Sequence, residues 1–217
     1  MEKRNKRILM SVLGVIICGI SVGLFKRATF GVDPFQSFMS GLDAVLPISF
    51  GTLYVLANVC LLLFSLINDK RRIGIATVVN LTLLGYIADF SHQFLNRTFP
   101  ELGFVGRFVM LLIAIVIMCL ASAFYFTADM GVSTYDAVSL IVAEKWKLAP
   151  FRYCRIASDL ICVLIGVGLF LLSGHPVSEL GQVVGIGTII TAFFMGPLIE
   201  VFNVHVAQPF LNKQGDS

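Results

Sequence analysis

Two short stretches of this sequence carry the same arrangement of polar residues directly after a long apolar run. The first is FGVDPFQSF, residues 30–38, and the second is MGVSTYDAV, residues 130–138, one hundred positions later. In each stretch Gly-Val precedes a residue that can cap a helix, Asp33 or Ser133, and a polar side chain follows three positions on. The spacing predicts two helix starts that present polar side chains where a small molecule could bind.

The residue three positions after each cap sets the chemistry of each start, and it is Gln36 in the first stretch and Asp136 in the second. Two helix starts facing one site would favour an anionic ligand, because the positive ends of both helix dipoles point at it. Asp136 would neutralise one of those ends, so a cationic or zwitterionic ligand, or a role as proton acceptor, remains equally open. A plainer interpretation also stays open, in which these side chains only cap their own helices.

Polar residues inside other apolar runs extend the predicted site. Arg155 and Asp159 lie four positions apart, the spacing of an ion pair on one helix face. Charges inside membrane spans cost about 2.5–3.5 kcal/mol each and usually face the bundle interior. Asn80 lies in the middle of an apolar run, where an interhelical hydrogen bond and a substrate contact are both open. The predicted substrate-binding residues are Asp33, Gln36, Asn58, Asn80, Ser133, Tyr135, Asp136, Arg155 and Asp159.

The sequence contains no arrangement typical of a catalytic or metal centre. HExxH, GxSxG and P-loop motifs are absent, and the three histidines lie near span ends or in loops. The five cysteines fall in or beside apolar runs without CxxC or Cys/His ligand spacing, which argues against disulfides and zinc. We therefore expect neither an enzyme nor a bound metal or cofactor.

The composition is that of an integral membrane protein. Of the 217 residues 57% are hydrophobic and 13% charged, and the mean hydropathy is +0.89, whereas soluble domains have about 25% charged residues. The net charge of +3 is interpreted through loop topology and not nucleic-acid binding, because the basic residues lie beside apolar segments. The apolar run 8–25 is too long for a typical signal-peptide core, so we predict an uncleaved first span.

The predicted fold is all-α, with six transmembrane helices and two short half-helices. Six segments are long enough to cross about 30 Å of hydrocarbon. Two shorter segments carry charge and are candidate half-helices or interfacial helices. The spans are 8–25, 51–68, 73–92, 108–126, 153–173 and 180–203, and the short helices are 33–47 and 133–147.

The chain also repeats itself. Arg7 and Gly31 recur as Arg107 and Gly131 at an offset of 100 residues, and Asn58 aligns with Asp159 at an offset of 101. At an offset of 111, GIATVVNLTLLGYIAD aligns with GIGTIITAFFMGPLIE. Three blocks in order predict one membrane domain built from two pseudo-symmetric repeats. Repeat one comprises residues 7–92 and repeat two residues 107–203.

Charges in equivalent loops favour an inverted second repeat. Lys70-Arg71-Arg72 corresponds to SGHPVSE, which has no basic residue, and the uncharged LPIS corresponds to the stretch around Lys145 and Lys147. Inversion puts 12 of the Lys and Arg residues inside and four outside, against 11 and five for a parallel arrangement, so the totals barely discriminate. Lys26-Arg27 runs against inversion. With inversion, both termini are predicted to be cytoplasmic.

The motifs resemble those of the YczE/YyaS/YitT family of bacterial inner-membrane proteins. The resemblance rests on FGVDPFQSF, SFGTLYVLANV, IGIATVVNLTLLGYIADF and the stretch GVSTYDAVSLIVAEKWKLAPFRYCRIASD, and it covers about residues 7–202. It implies a multi-pass protein of the bacterial inner membrane, with transport or export as the suggested role. In many family members the position of Gln36 is acidic, so here a carboxylate role would belong only to Asp136.

The function we expect is secondary transport of a small molecule by alternating access between the two repeats. Its partners would be the substrate and the lipid bilayer, without nucleic acid, and a homodimer is left open. Any use of ATP would need a partner chain, because no nucleotide-binding motif is present. The alternative is a membrane scaffold or regulatory subunit that transports nothing, in which case the interface between the repeats would be dry and fully packed.

Overall fold

A computed structural model describes residues 2–70 and 73–212, and the secondary structure of these residues is helical throughout. The helices are α1 (Glu2–Ala28), α2 (Pro34–Val45), α3 (Phe50–Asp69), α4 (Ile75–Thr98), α5 (Phe104–Ala128), α6 (Thr134–Leu140), α7 (Phe151–Leu172), α8 (Ile186–Phe202) and α9 (Gln208–Asn212). The all-α class predicted from the sequence is therefore confirmed. Arg71 and Arg72, which entered the charge argument for topology, lie outside the described residues.

The lengths and composition of these helices make the chain a multi-pass membrane protein. Five described stretches are long and apolar enough to cross a bilayer. They are Arg4–Ala28, Phe50–Asp69, Phe104–Ala128, Tyr153–Leu172 and Val177–Met195. At 24 residues α4 is equally long, but Asn80, Asp89 and His92 interrupt its apolar sequence.

Several helix ends differ from the prediction. The final span, predicted as 180–203, begins at Ile186 because Val177–Gln182 forms a separate 3-10 turn and Gly185 starts the α-helix. It also continues beyond Phe202 through a π-helical turn, Asn203–Ala207, into α9. The second short helix is α-helical only to Leu140 and continues as a π-helical turn, Ile141–Lys145.

The central pair of helices, α1 and α5, is antiparallel. The Ser21 hydroxyl donates a hydrogen bond to the carbonyl oxygen of Ala114 at 2.7 Å, and the Nε of Arg107 donates to that of Ala28 at 3.0 Å. Positions later in α1 thus contact positions earlier in α5. Helices that begin each predicted repeat therefore run in opposite directions.

By contrast, α1 and α4 are parallel and pack closely through glycines. A Cβ atom added at Gly19 would lie 2.7 Å from the Cγ2 of Ile87, and one added at Gly23 would lie 2.5 Å from the Oγ of Ser91. Larger residues at either glycine would push the helices apart, so this pair depends on small residues for its packing.

The pair α5 and α8 is parallel in the same way. A Cβ atom added at Gly187 would lie 2.9 Å from the side chain of Leu111, and the Thr127 hydroxyl donates to the Oδ1 of Asn203 at 2.7 Å. The start of α1 lies beside the end of α9, since the Nζ of Lys6 donates to the carbonyl oxygen of Leu211 at 3.3 Å.

Two non-helical breaks with matching backbone geometry precede the short helices. In the first break, residues 29–33, φ is 57° at Thr29 and 88° at Gly31. In the second break, residues 129–133, φ is 51° at Asp129 and 110° at Gly131. Positive φ is favourable for glycine and strained for a threonine, so each break turns the chain sharply at a fixed place.

The last helix of each predicted repeat, α4 or α8, begins with a hydrogen bond to the break of the other repeat. The Gly187 N–H of α8 donates to the carbonyl oxygen of Phe30 at 2.8 Å, and the Ala76 N–H of α4 donates to that of Met130 at 3.0 Å. These bonds satisfy N–H groups that a helix start leaves without an intrahelical partner. They also bind the two halves of the chain to each other.

Candidate functional site

A cavity of about 150 Å³ lies between the starts of α2 and α6 and the middle of α1. Gly14, Cys18 and Val22 of α1 line the cavity, and so do Met118 and Tyr125 of the neighbouring α5. All nine substrate-binding residues predicted from the sequence line this cavity, namely Asp33, Gln36, Asn58, Asn80, Ser133, Tyr135, Asp136, Arg155 and Asp159. The structure therefore brings the predicted residues together, and their role in binding remains a prediction.

The first helix start is capped as predicted. Asp33 accepts a hydrogen bond from the Gln36 N–H at 3.2 Å, and Pro34 occupies the first helical position. The Ser37 hydroxyl donates to the carbonyl oxygen of Val183 at 2.6 Å, which fixes α2 against the segment before α8. The Gln36 side chain is 4% exposed, and its Oε1 has no hydrogen-bond partner among the described residues.

At the second helix start the cap and the third residue bind each other. The Asp136 N–H donates to the Ser133 hydroxyl at 3.0 Å, and that hydroxyl donates to the Oδ2 of Asp136 at 2.6 Å. This arrangement is the predicted close variant of a capping box. The Oδ1 of Asp136 faces away from the cap and receives a hydrogen bond from Arg155.

Arg155 is the centre of an ionic cluster that joins α6 to α7. Its Nε donates to the Oδ1 of Asp159 at 3.1 Å, which confirms the predicted pair, and its Nη1 contacts Asp136. Its guanidinium carbon lies 4.4 Å from the centre of the Tyr135 ring, a cation–π distance. The Tyr135 hydroxyl in turn donates to the Oδ1 of Asp159 at 2.7 Å.

The part of the cavity contributed by α3 and α4 is held by neutral hydrogen bonds. The Tyr54 hydroxyl donates to the Oδ1 of Asn80 at 3.2 Å, so Asn80 makes the interhelical bond that its mid-span position suggested. The Nδ2 of Asn58 donates to the carbonyl oxygen of Tyr54 at 2.8 Å, and its Oδ1 accepts from Thr134. Asn58 thereby links α3 to the start of α6.

Several lining residues were not predicted, and two of them were visible in the repeat. Tyr54 aligns with Arg155 at the offset of 101 residues, and Phe35 aligns with Tyr135 at the offset of 100. Phe35 stacks on Tyr135 with ring centres 4.9 Å apart, so the two repeats meet through these rings. Tyr125 had no such signal: it lies in an apolar run, and its buried hydroxyl has no partner among the described residues.

The carboxylates that line this cavity all have hydrogen-bond donors. Asp136 and Asp159 accept from Arg155, and Asp33 accepts from the Gln36 N–H. Within residues 2–70 and 73–212, no group of three or more His, Cys, Asp or Glu side chains is placed to hold a metal ion.

Comparisons with known proteins agree with the resemblance seen in the motifs. The sequence is 22% identical to the uncharacterized protein YyaS of Bacillus subtilis over 201 residues, 93% of this chain and 94% of that protein. It is 22% identical to the uncharacterized membrane protein YczE of the same species, over 86% of this chain and 80% of that protein. An uncharacterized protein of Haemophilus influenzae is 23% identical over 91% of this chain and 83% of its own length.

No solved structure matches the chain. Residues 5–204 match the model of a family of unknown function, DUF6198, and this match covers most of the 217 residues. The resemblance to YczE and YyaS is thereby confirmed, and the chain belongs to the DUF6198 family of unknown function.

Proposed function

We propose that this protein is a secondary transporter of a small molecule in the bacterial inner membrane. The observation that carries the proposal is the polar cavity of about 150 Å³ between the two helix starts, at the middle of α1. A scaffold interface would be packed and dry, whereas this cavity is lined by charged groups and amides from both halves. Transporters with repeated halves bind substrate at such a place, where broken helices meet.

The architecture that we propose is two inverted repeats, residues 7–92 and 107–203, each with three membrane-crossing helices and one short helix. The antiparallel contact of α1 with α5 supports inversion, because these helices occupy equivalent positions in the two repeats. The matching φ angles of the two breaks support the equivalence of the short helices. Parallel packing of α1 with α4, and of α5 with α8, recurs in both halves.

The same arrangement supports a proposed orientation in the membrane. Lys6 and Leu211 lie at one end of the molecule. The loops that an inverted topology places on the inside, with their basic residues, lie at the same end. Lys145, which follows α6, bonds the carbonyl oxygen of Asn68 near the end of α3, so these loops share one end. By the positive-inside rule we place this end and both termini in the cytoplasm.

The helices that line the cavity are consistent in number and origin with alternating access, and this supports the proposal. Each half contributes one helix start to the cavity, and a rocking motion between the halves would open the cavity first to one side and then to the other. A volume of about 150 Å³ limits the substrate to a small molecule; an apolar cavity of about this size holds benzene.

Uptake by proteoliposomes that contain the purified full chain tests this proposal. A panel of radiolabelled amines, amino acids and carboxylates is screened, and uptake of at least one class is expected. Asp136→Asn should lower that uptake about tenfold or more, because it removes one partner of a charge-assisted hydrogen bond.

The matched control is Asp129→Asn, which makes the same chemical change at an exposed residue seven positions away. Asparagine tolerates the positive φ of Asp129, so the control variant should fold and transport like the wild type. Absence of uptake across the panel would favour the scaffold alternative. Undiminished uptake by Asp136→Asn would remove that residue from the site.

A further inference from the structure

The cavity has an excess of negative charge among its described lining residues. Asp33, Asp136 and Asp159 supply three carboxylates, and Arg155 is the only basic side chain that lines it. When all four groups are ionised, two negative charges are in excess. Arg155 contacts Asp136 and Asp159, and no basic side chain of the described residues forms an ion pair with Asp33.

The helix dipoles do not cancel this excess. A helix start contributes about half an elementary positive charge, and α6, with seven residues, contributes less than a long helix would. Two full contributions would still leave about one negative charge in the cavity. An anionic substrate, which the two helix starts alone favoured, is therefore opposed by the charge that the structure brings to the same place.

Two polar groups of the lining residues are buried without a partner. The Oε1 of Gln36 and the hydroxyl of Tyr125 have no hydrogen-bond partner among the described residues, and the two residues are only 4% and 7% exposed. An orphaned buried polar group costs about 1–3 kcal/mol. A ligand with N–H donors would satisfy both groups, because a carbonyl oxygen accepts and a hydroxyl can also accept.

In the second half a cationic side chain of the protein itself occupies the equivalent part of the cavity. There the guanidinium of Arg155 lies between Asp136 and Asp159. The equivalent positions of the first half are Tyr54, Gln36 and Asn58, which form a neutral set beside the carboxylate of Asp33. These three positions of the first half carry no cation, and the Oε1 of Gln36 is an acceptor there without a partner among the described residues.

From these observations we infer that the ligand of the cavity is a small organic cation with N–H donors, bound beside Asp33 and Gln36. The inference rests on the proposed transport function and specifies its substrate class. The aromatic side chains of Tyr54, Tyr125 and Phe126 also line the cavity, and aromatic rings attract cations.

Three probes of one shape test the sign of the ligand charge. Acetamidinium, acetamide and acetate carry charges of about +1, 0 and −1 at neutral pH on nearly the same planar framework, and all three are small enough for the cavity. Isothermal titration calorimetry of the full chain in detergent is expected to give acetamidinium an affinity about tenfold or more above those of the other two. Equal or tighter binding of acetamide or acetate would overturn the inference.

Asp33→Asn tests the location. Asparagine caps a helix as well as aspartate does, so α2 should keep its start while the charge is lost. We expect acetamidinium binding to weaken about tenfold or more, and Asp129→Asn to leave it unchanged. An unchanged affinity in Asp33→Asn, with the control also unchanged, would refute the site.

Uptake of the same probes separates this inference from the transport proposal. Binding of acetamidinium without its uptake by proteoliposomes would support the cation site and contradict transport. Uptake confined to acetate would support transport and contradict the cation site. Uptake of acetamidinium that is lost in Asp33→Asn would support both.

Discussion

The start of α2 can be compared position by position with the start of α6. Both follow a break with a positive-φ glycine, and both have a side-chain cap that bonds the N–H three residues on. They differ in the charges and hydrogen-bonding groups of the surrounding side chains. The equivalent pairs are Asp33 and Ser133, Phe35 and Tyr135, Gln36 and Asp136, Tyr54 and Arg155, and Asn58 and Asp159.

The difference shows how one backbone design can serve two electrostatic roles. Gln36 against Asp136 and Asn58 against Asp159 each place an amide where the other half has an acid. In the second half the acids are held by Arg155 in a closed ionic cluster. In the first half the hydrogen bonds are neutral, and Asp33 and Gln36 keep acceptor capacity for a ligand.

The largest effect is expected from opening the ionic cluster. Arg155→Met leaves Asp136 and Asp159 without their cation, and loss of one member of a buried ion pair costs about 3–5 kcal/mol. The Arg155 side chain is 32% exposed, so we expect about 3 kcal/mol, at the low end of that range. Denaturant unfolding of the purified protein in detergent measures it.

The matched change in the first half is Tyr54→Phe, which removes only the hydrogen bond to Asn80 and should cost about 1 kcal/mol. In a double-mutant cycle, adding Asp136→Asn to Arg155→Met should cost less than the sum of the single changes. Equal losses for Arg155→Met and Tyr54→Phe would mean that the cluster contributes no special stability to the second half.

The two breaks should respond alike to a changed glycine. Gly31→Ala and Gly131→Ala each force a side chain into positive φ, and the new Cβ would lie 2.3 Å from the Gly185 nitrogen or 2.6 Å from the Gly74 nitrogen. We expect each to destabilise the fold by about 2 kcal/mol, measured by the same unfolding assay. Gly168→Ala, where no atom lies within 4 Å, is the control for a harmless added methyl. A large difference between the two break variants would weaken their equivalence.

The caps should give a smaller effect. Ser133→Ala removes the acceptor of the Asp136 N–H and should cost about 1 kcal/mol of unfolding free energy. Asp33→Ser gives the first half the cap of the second and should change stability by less than about 0.5 kcal/mol, since serine and aspartate cap similarly. A stability loss in Asp33→Ser as large as that in Ser133→Ala would show that Asp33 does more for the fold than cap α2.

The smallest effect on stability, and the sharpest on function, is expected at Gln36. Gln36→Met removes the orphaned Oε1 at nearly constant size, so the free energy of unfolding should stay the same or rise. Acetamidinium binding should nevertheless fall, because the ligand loses an acceptor. Titration calorimetry and unfolding of the same preparation test this separation. A destabilised variant with normal binding would assign Gln36 to the fold.

Local features of the site could be predicted from the sequence because their geometry is local. The caps at Asp33 and Ser133 depend on residues three positions away, and the pair Arg155–Asp159 depends on one helical turn. The membrane class followed from composition alone. These predictions needed no knowledge of how the helices pack.

The partners in most contacts between helices could not be predicted from the sequence. The bonds from Arg155 to Asp136 and from Tyr135 to Asp159 depend on the separation and rotation of α6 and α7, which no spacing in the chain determines. The repeat did align Tyr54 with Arg155, yet it could not show that a neutral tyrosine would bond Asn80 there. The start of the final helix was predicted six residues too early, because a 3-10 turn precedes Gly185, and the π-helical continuation beyond Phe202 was not predicted.

The hydrogen bonds that join the starts of α4 and α8 to the breaks of the opposite halves have a consequence for biosynthesis. The carbonyl oxygen of Phe30 receives its partner only when Gly187 has been synthesised, near the end of the 217-residue chain. The break of the first half therefore lacks this hydrogen bond until the second half has been synthesised and inserted. Each half supplies the hydrogen-bond partner that the other half needs, so two separately made halves should be stable only when they are produced together.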